Sequence, residues 1–83
     1  MYYVYVLRNE KQEFYTGYSA CLEKRLFEQN IGMNRSTKGH QWELVYYEAY
    51  TNEKYARKRE SAYKKNRRMS TFLMNRVKES LSY

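Results

Sequence analysis

The side chains of this sequence that could act together on a substrate are a set of phenols, one arginine, one glutamate and a crowd of cations. Tyrosines recur in two short stretches, Tyr3-Val4-Tyr5 and Tyr15-Thr16-Gly17. Arg25 follows, and Glu60 stands far along the chain in a tract dense in lysine and arginine. A phenol at its ordinary pKa of about 10 is a poor base at neutral pH, but its hydroxyl can orient water. A guanidinium stays charged at any working pH, and its fork matches oxyanions. Residues 1–51 carry six Lys/Arg and six Asp/Glu, whereas residues 52–83 carry ten against three. The final third therefore holds the whole excess behind the net charge of +7. That asymmetry points to a polyanionic partner such as nucleic acid, against the plainer alternative of a solvated helix face.

These residues need elements to position them. Tyr2 to Leu7 is apolar or aromatic throughout, which predicts a central strand covered on both faces. Glu13 to Tyr18 predicts a second strand, joined to the first as an antiparallel hairpin. Tyr5 and Tyr15 share a sheet face only if paired residue numbers sum to an even value, and that register is expected. Gly17 has no side chain, so a ligand or another backbone could approach the strand end closely. Ser19 is the expected N-cap of a first helix with Leu22, Leu26 and Phe27 on its buried side, and Gly32 ends it. Arg25 falls at the margin of that stripe. A polar surface loop is expected from Met33 to Gln41, with Lys38 a candidate for ligand contact.

Trp42 to Tyr50 predicts a third strand, with Trp42, Leu44, Tyr46, Glu48 and Tyr50 on one face. Thr51 or Asn52 caps a second helix running to about Lys65. Ala56, Glu60 and Tyr63 share its inward face, and Lys54, Arg57, Lys58, Lys64 and Lys65 lie opposite. Glu60 is the only acid well inside this helix, although Lys64 at i+4 could simply pair with it. Ser70 is expected to cap a last helix with Leu73, Val77 and Leu81 as its apolar stripe. The whole chain, residues 1–83, reads as one domain: an α+β fold with a small three-stranded antiparallel sheet flanked by three helices, in the order β-β-α-β-α-α.

Composition narrows the class further. At 83 residues the chain is near the size where a single core is only marginally sufficient, and eleven tyrosines carry much of the apolar content. No run of 18 apolar residues exists, so no membrane span is expected, and no leader segment is recognised. Cys21 is alone, which excludes an internal disulfide and suits a cytoplasmic setting. A small core residue is the expected role for it.

Tyr3-Val4-Tyr5 and Tyr15-Thr16-Gly17 resemble the two signature stretches of the GIY-YIG endonuclease family. Leu22-Glu23-Lys24-Arg25-Leu26 is similar to that family's first-helix motif. Trp42-Glu43-Leu44-Val45-Tyr46-Tyr47-Glu48, followed by Ala56-Arg57-Lys58-Arg59-Glu60, resembles a small stand-alone subgroup related to excision-repair nuclease domains. The resemblance implies a divalent-metal-dependent endonuclease that hydrolyses DNA phosphodiester bonds, with RNA left open as a substrate. It implies Tyr5, Tyr15, Arg25 and Glu60 as catalytic residues, with Glu60 anchoring one Mg²⁺ or Mn²⁺ ion. Mg²⁺ keeps several waters and binds through one or two carboxylates plus substrate phosphate, so a single glutamate suffices. Gly17, Gln29, Lys38, Arg57, Lys58, Lys64 and Lys65 are the expected nucleic-acid contacts, and a targeting partner protein is a further expectation.

The chain departs from the family pattern at Gln29, a position often His or Tyr. Glutamine cannot titrate near neutrality, so it can hydrogen-bond a water or phosphate but cannot act as acid or base. His40 in the loop is the only histidine, and Asn66 and Asn75 both compete for the family's late asparagine. An alternative reading follows from Gln29: a binding module that retains the fold and holds nucleic acid without cutting it.

Overall fold

A computed structural model describes residues 1–32 and 38–83. Strands β1 (Tyr2–Asn9), β2 (Phe14–Ser19) and β3 (Trp42–Tyr50) form an antiparallel sheet in the order β2-β1-β3. Helices α1 (Leu22–Asn30), α2 (Glu53–Lys65) and α3 (Arg67–Leu81) flank it. The expected α+β order β-β-α-β-α-α is the one observed. Of the expected loop, residues 33–37 lie outside the described residues.

β1 is central and unalternating because both of its faces are covered. Val4 and Val6 turn to α2 and α3, where they meet Ala56, Tyr63, Leu73 and Val77 in a fully buried cluster. Tyr5 and Leu7 turn the other way, to Trp42 with Leu22 and Leu26 of α1. Burying side chains of this size stabilises by about 1.5–3 kcal/mol each. Leu81 was expected to continue the α3 stripe but is 36% exposed.

β3 corrects the expected faces. It pairs regularly with β1 from Tyr2↔Tyr50 to Val6↔Tyr46, then shifts so that Leu7 meets Leu44 and Asn9 meets Trp42. Val45 is the extra residue of this bulge. An inserted residue reverses the alternation on either side of it. Trp42 therefore sits with Tyr5 and Leu7 beside α1, while Tyr46 and Tyr50 pack against the α2/α3 cluster. A regular strand would have put all three rings on one face.

Glu48, half-buried on that α2/α3 side, gathers phenols. Tyr46 and Tyr63 each donate a hydrogen bond to Oε2 at 2.7 Å, Tyr50 donates to Oε1, and the Arg59 guanidinium lies 3.8 Å away. Burial pushes the Glu48 carboxyl up, but the three donors and Arg59 outweigh it and hold the group below its ordinary range. The same burial, with the carboxylate as acceptor, pushes the phenols up: Tyr46 to about 12, with Tyr50 and Tyr63 raised likewise.

The helix ends also differ from expectation. Cys21, not Ser19, is the N-cap of α1, and Ser19 Oγ instead accepts from the Cys21 amide at 2.9 Å in a local turn. Cys21 is exposed, so it is not a core residue. Gly32 terminates the helix at φ +83°, as expected of a left-handed stop. Asn52 caps α2 through Oδ1 to the Tyr55 amide at 2.9 Å. Asn66 both ends α2 and caps α3, accepting from the Arg68 and Met69 amides. Ser70 consequently falls inside α3.

Candidate active site

The β1–β2 register pairs Tyr5 with Gly17 and Leu7 with Tyr15, an even sum that puts both tyrosines on the α1 side of the sheet. Their ring centroids are 6.5 Å apart. Gly17 is what lets Tyr5 lie where it does. A Cβ at position 17 would stand 2.3 Å from the Tyr5 hydroxyl oxygen, so only glycine leaves room for the ring above β2. The space expected to admit a ligand is thus filled by Tyr5 itself. The Tyr15 ring packs edge-on to Trp42 at 6.1 Å.

Arg25 comes from α1, 41% exposed at its side chain and 3.7 Å from Glu28 one turn on. Glu60 and Lys64 come from α2, whose apolar face packs on the opposite side of the sheet. They reach the phenols past β2, the edge strand. Lys64 Nζ lies 3.1 Å from Glu60 Oε2 and 5.4 Å from the centroid of the Tyr15 ring. Tyr5 registers the whole set electrostatically. Burial raises its hydroxyl pKa most, the Tyr15 phenol and the Glu60 carboxylate raise it further, and Arg25 and the Gln29 hydrogen bond pull it down without prevailing. A second phenol, a guanidinium and a carboxylate therefore lie near enough to act on the Tyr5 hydroxyl, whose pKa is raised chiefly by burial.

Gln29 departs from its expected role as a nucleic-acid contact. It is 1% exposed and donates from Nε2 to the Tyr5 hydroxyl at 3.1 Å. The signal was present in the spacing, because Gln29 lies three residues after Leu26 and seven after Leu22, on the buried stripe. Its Oε1 has no partner among the described residues. Gln29 thus fixes the Tyr5 ring from beneath and cannot touch a phosphate directly.

The expected basic contacts do not form one surface. Arg57 stacks over the Tyr18 ring at 4.4 Å, near Arg25. Lys58 lies elsewhere, lining a concavity of about 580 Å³ with Asn52, Lys54 and Tyr55. Lys65 is exposed at the end of α2, and Lys38 is exposed beside Gly32. His40 is taken up by Glu10, with Nδ1 2.6 Å from Oε2, while the Gln41 amide donates to the other oxygen at 2.8 Å. These contacts hold the Glu10 carboxyl down to about 2, the His40 contact contributing most. They tie the chain before β3 to the β1–β2 turn, with the His40 ring edge-on to Trp42 at 5.9 Å.

Metal-ligating potential at the site rests on Glu60. Among the described residues no three His, Cys, Asp or Glu side chains gather into a protein cage. A one-carboxylate site fits a hard cation such as Mg²⁺ or Mn²⁺ that keeps most of its ligands as water and substrate phosphate, and it does not fit zinc. Lys64 pairs with one of the two Glu60 oxygens.

These side chains are carried by a three-stranded antiparallel sheet flanked by three helices in the order β-β-α-β-α-α. The family model for the GIY-YIG catalytic domain matches residues 1–75, and the chain belongs to that family. A UPF0213 protein of Clostridium perfringens (strain 13 / Type A) is 34% identical over 84 residues, spanning 95% of this chain and 90% of its own length. No solved structure matches significantly. No helix among the described residues is long and apolar enough to cross a membrane.

Proposed function

We propose that the chain is a divalent-metal-dependent endonuclease that hydrolyses DNA phosphodiester bonds at the Tyr5–Tyr15–Arg25–Glu60 site. The observation that carries this reading is the convergence of those four side chains from four separate elements around one edge of the sheet. Hydrolysis of a phosphodiester requires an aligned nucleophile and neutralisation of charge developing on oxygen. Arg25 meets a phosphate oxygen with its fork. Tyr5, 2% exposed and gripped by Gln29, forms the floor of the site beside Tyr15. Tyr15, half-buried beside it, orients the attacking water. Glu60 anchors one Mg²⁺ or Mn²⁺, which when bound supplies Lewis-acid charge to the phosphate. Plasmid nicking across Mg²⁺, Mn²⁺ and chelator tests the reading. Glu60→Gln and Arg25→Ala are each expected to abolish metal-dependent nicking with the fold retained, and a variant that nicks like the parent removes its residue from the site.

A second reading is favoured by Gln29 and the raised Tyr5. With no titratable group beside Tyr5 where the family often has one, the chain is a nucleic-acid-binding module with weak or no cleavage. Salt-sensitive binding without nicking in any divalent ion decides for this alternative.

A further inference from the structure

Beside Arg25 lies a groove that none of the catalytic roles uses. It measures about 360 Å³, between the β2–α1 turn and α2, and Tyr18, Ser19, Lys24, Arg25, Glu28 and Arg57 line it. Three cations face one acid, and that acid, Glu28, is already engaged by Arg25 at 3.7 Å. Arg57 has two partners of its own. Its guanidinium carbon lies over the Tyr18 ring, 4.4 Å from the centroid, and one amino group reaches Glu53 at 3.4 Å. Glu53 also accepts from the Tyr18 hydroxyl at 2.8 Å, so ring, carboxylate and guanidinium fix one another. The Glu53 contact uses only one of the guanidinium's five N–H donors. A planar cation immobilised in this way loses less side-chain entropy on binding an oxyanion than a mobile lysine does.

We propose that this groove is a second phosphate subsite, in which Arg57 and Lys24 hold a backbone phosphate of the same DNA strand that Arg25 meets at the cleavage point. The proposal rests on the nuclease reading for its substrate and adds to it the path of the strand: out of the site past Tyr18, along the cleft between α1 and α2. The groove is open and polar, which suits a sugar–phosphate backbone and gives no grip on base edges. Backbone positioning without sequence readout follows.

The test is the salt dependence of binding to a short fluorescent DNA duplex, measured by anisotropy in chelator so that no cleavage intervenes. Lys24→Gln and Arg57→Gln are each expected to flatten the log–log salt slope by about 0.9, the signature of one lost phosphate contact. Arg57→Lys keeps the charge and should keep the slope, and Lys78→Gln on α3 should leave it unaltered. Unchanged slopes in Lys24→Gln and Arg57→Gln overturn the subsite. So does an equal loss in Arg57→Lys, which traces the effect to the Tyr18 stack, or in Lys78→Gln, which spreads it over the whole basic surface. The two readings separate cleanly. A parent that binds with the expected variant slopes yet never nicks defeats the endonuclease and leaves the subsite standing. A parent that fails to bind at low salt defeats both.

Discussion

Glu48 and Glu60 both stand among tyrosines, and they do so differently. Glu48 is enclosed on the α2/α3 side of the sheet by the phenols of Tyr46, Tyr50 and Tyr63 with Arg59 beside them. Glu60, at the β2 edge, stands near Tyr5 and Tyr15 with an exposed lysine as its ion-pair partner. A network in which one carboxylate accepts from several donors rigidifies, and removing that acceptor leaves the donors unpaired. A carboxylate held by one swinging ammonium can change partners. The same residue types thus serve cohesion on one side and, in the proposed nuclease, exchange of ligands on the other.

Exchanging the two glutamates is the sharpest way to break this comparison. Glu60→Gln is expected to lower metal-dependent nicking by at least about 100-fold, the scale of losing a main electrostatic group at a reacting phosphate. Its melting temperature should stay close to the parent's. Glu48→Ala should do the reverse, costing about 3–5 kcal/mol in denaturant unfolding because three phenols and Arg59 lose their acceptor. If Glu60→Gln unfolds the chain or Glu48→Ala leaves it as stable as before, the division of labour is wrong.

Gly17→Ala probes the packing of the Tyr5 ring over β2. The added Cβ overlaps the Tyr5 hydroxyl, and Tyr5 is 2% exposed, so the ring has little space to retreat. A loss of about 1–3 kcal/mol by chemical denaturation is expected, as for an overpacked core. Nicking should fall with it, since Tyr5 is pushed off its site.

The Glu48 network also sets a pH window. Its carboxyl is depressed, so the stability it contributes is present above the ordinary carboxylate pKa and is lost as pH falls through the folded value. The phenols are raised, so their contribution is full below about 10 and is lost as pH climbs toward the folded values, about 12 for Tyr46. Stability against denaturant should therefore form a plateau between about pH 5 and 10 with losses on both sides. Absorbance titration of the phenols should show a late-ionising class, and Glu48→Ala should lower it part of the way for Tyr46, Tyr50 and Tyr63, burial holding the rest of the shift. The smallest effect is expected from deleting Val45. Deletion removes the bulge and leaves Leu44 opposite Leu7 with Trp42 still beside Tyr5. Trp42 fluorescence should stay that of a buried indole, whereas a red-shifted emission would show that the bulge itself sets the face of Trp42.

Much of this was legible in the chain. The unbroken apolar run of β1 announced a strand covered on both faces, and the equal parity of Tyr5 and Tyr15 put them together once the register was even. Glu60 was visible as the lone inward acid of a basic helix, with its Lys64 partner at i+4. Other features depended on the folded chain. Val45 carries no glycine or proline to mark a bulge, so regular alternation assigned Trp42 to the wrong face. Glu48 looked like any strand carboxylate: alternation put Tyr46 and Tyr50 on its face, but its third phenol, Tyr63, and Arg59 come from a helix. Gln29 lay on the apolar stripe of α1 but was read by its polarity, although burial beneath Tyr5 decides its role.

Asn66 gives the basic segment a shape that its sequence conceals. Lys64, Lys65, Arg67 and Arg68 are nearly contiguous in the chain, yet one residue ends the helix before it and begins the helix after it, with no linker between. The four charges are divided between two rod axes that meet at a corner without slack. Cations that the sequence writes as one run therefore belong to two helices, and no single helix face carries them all.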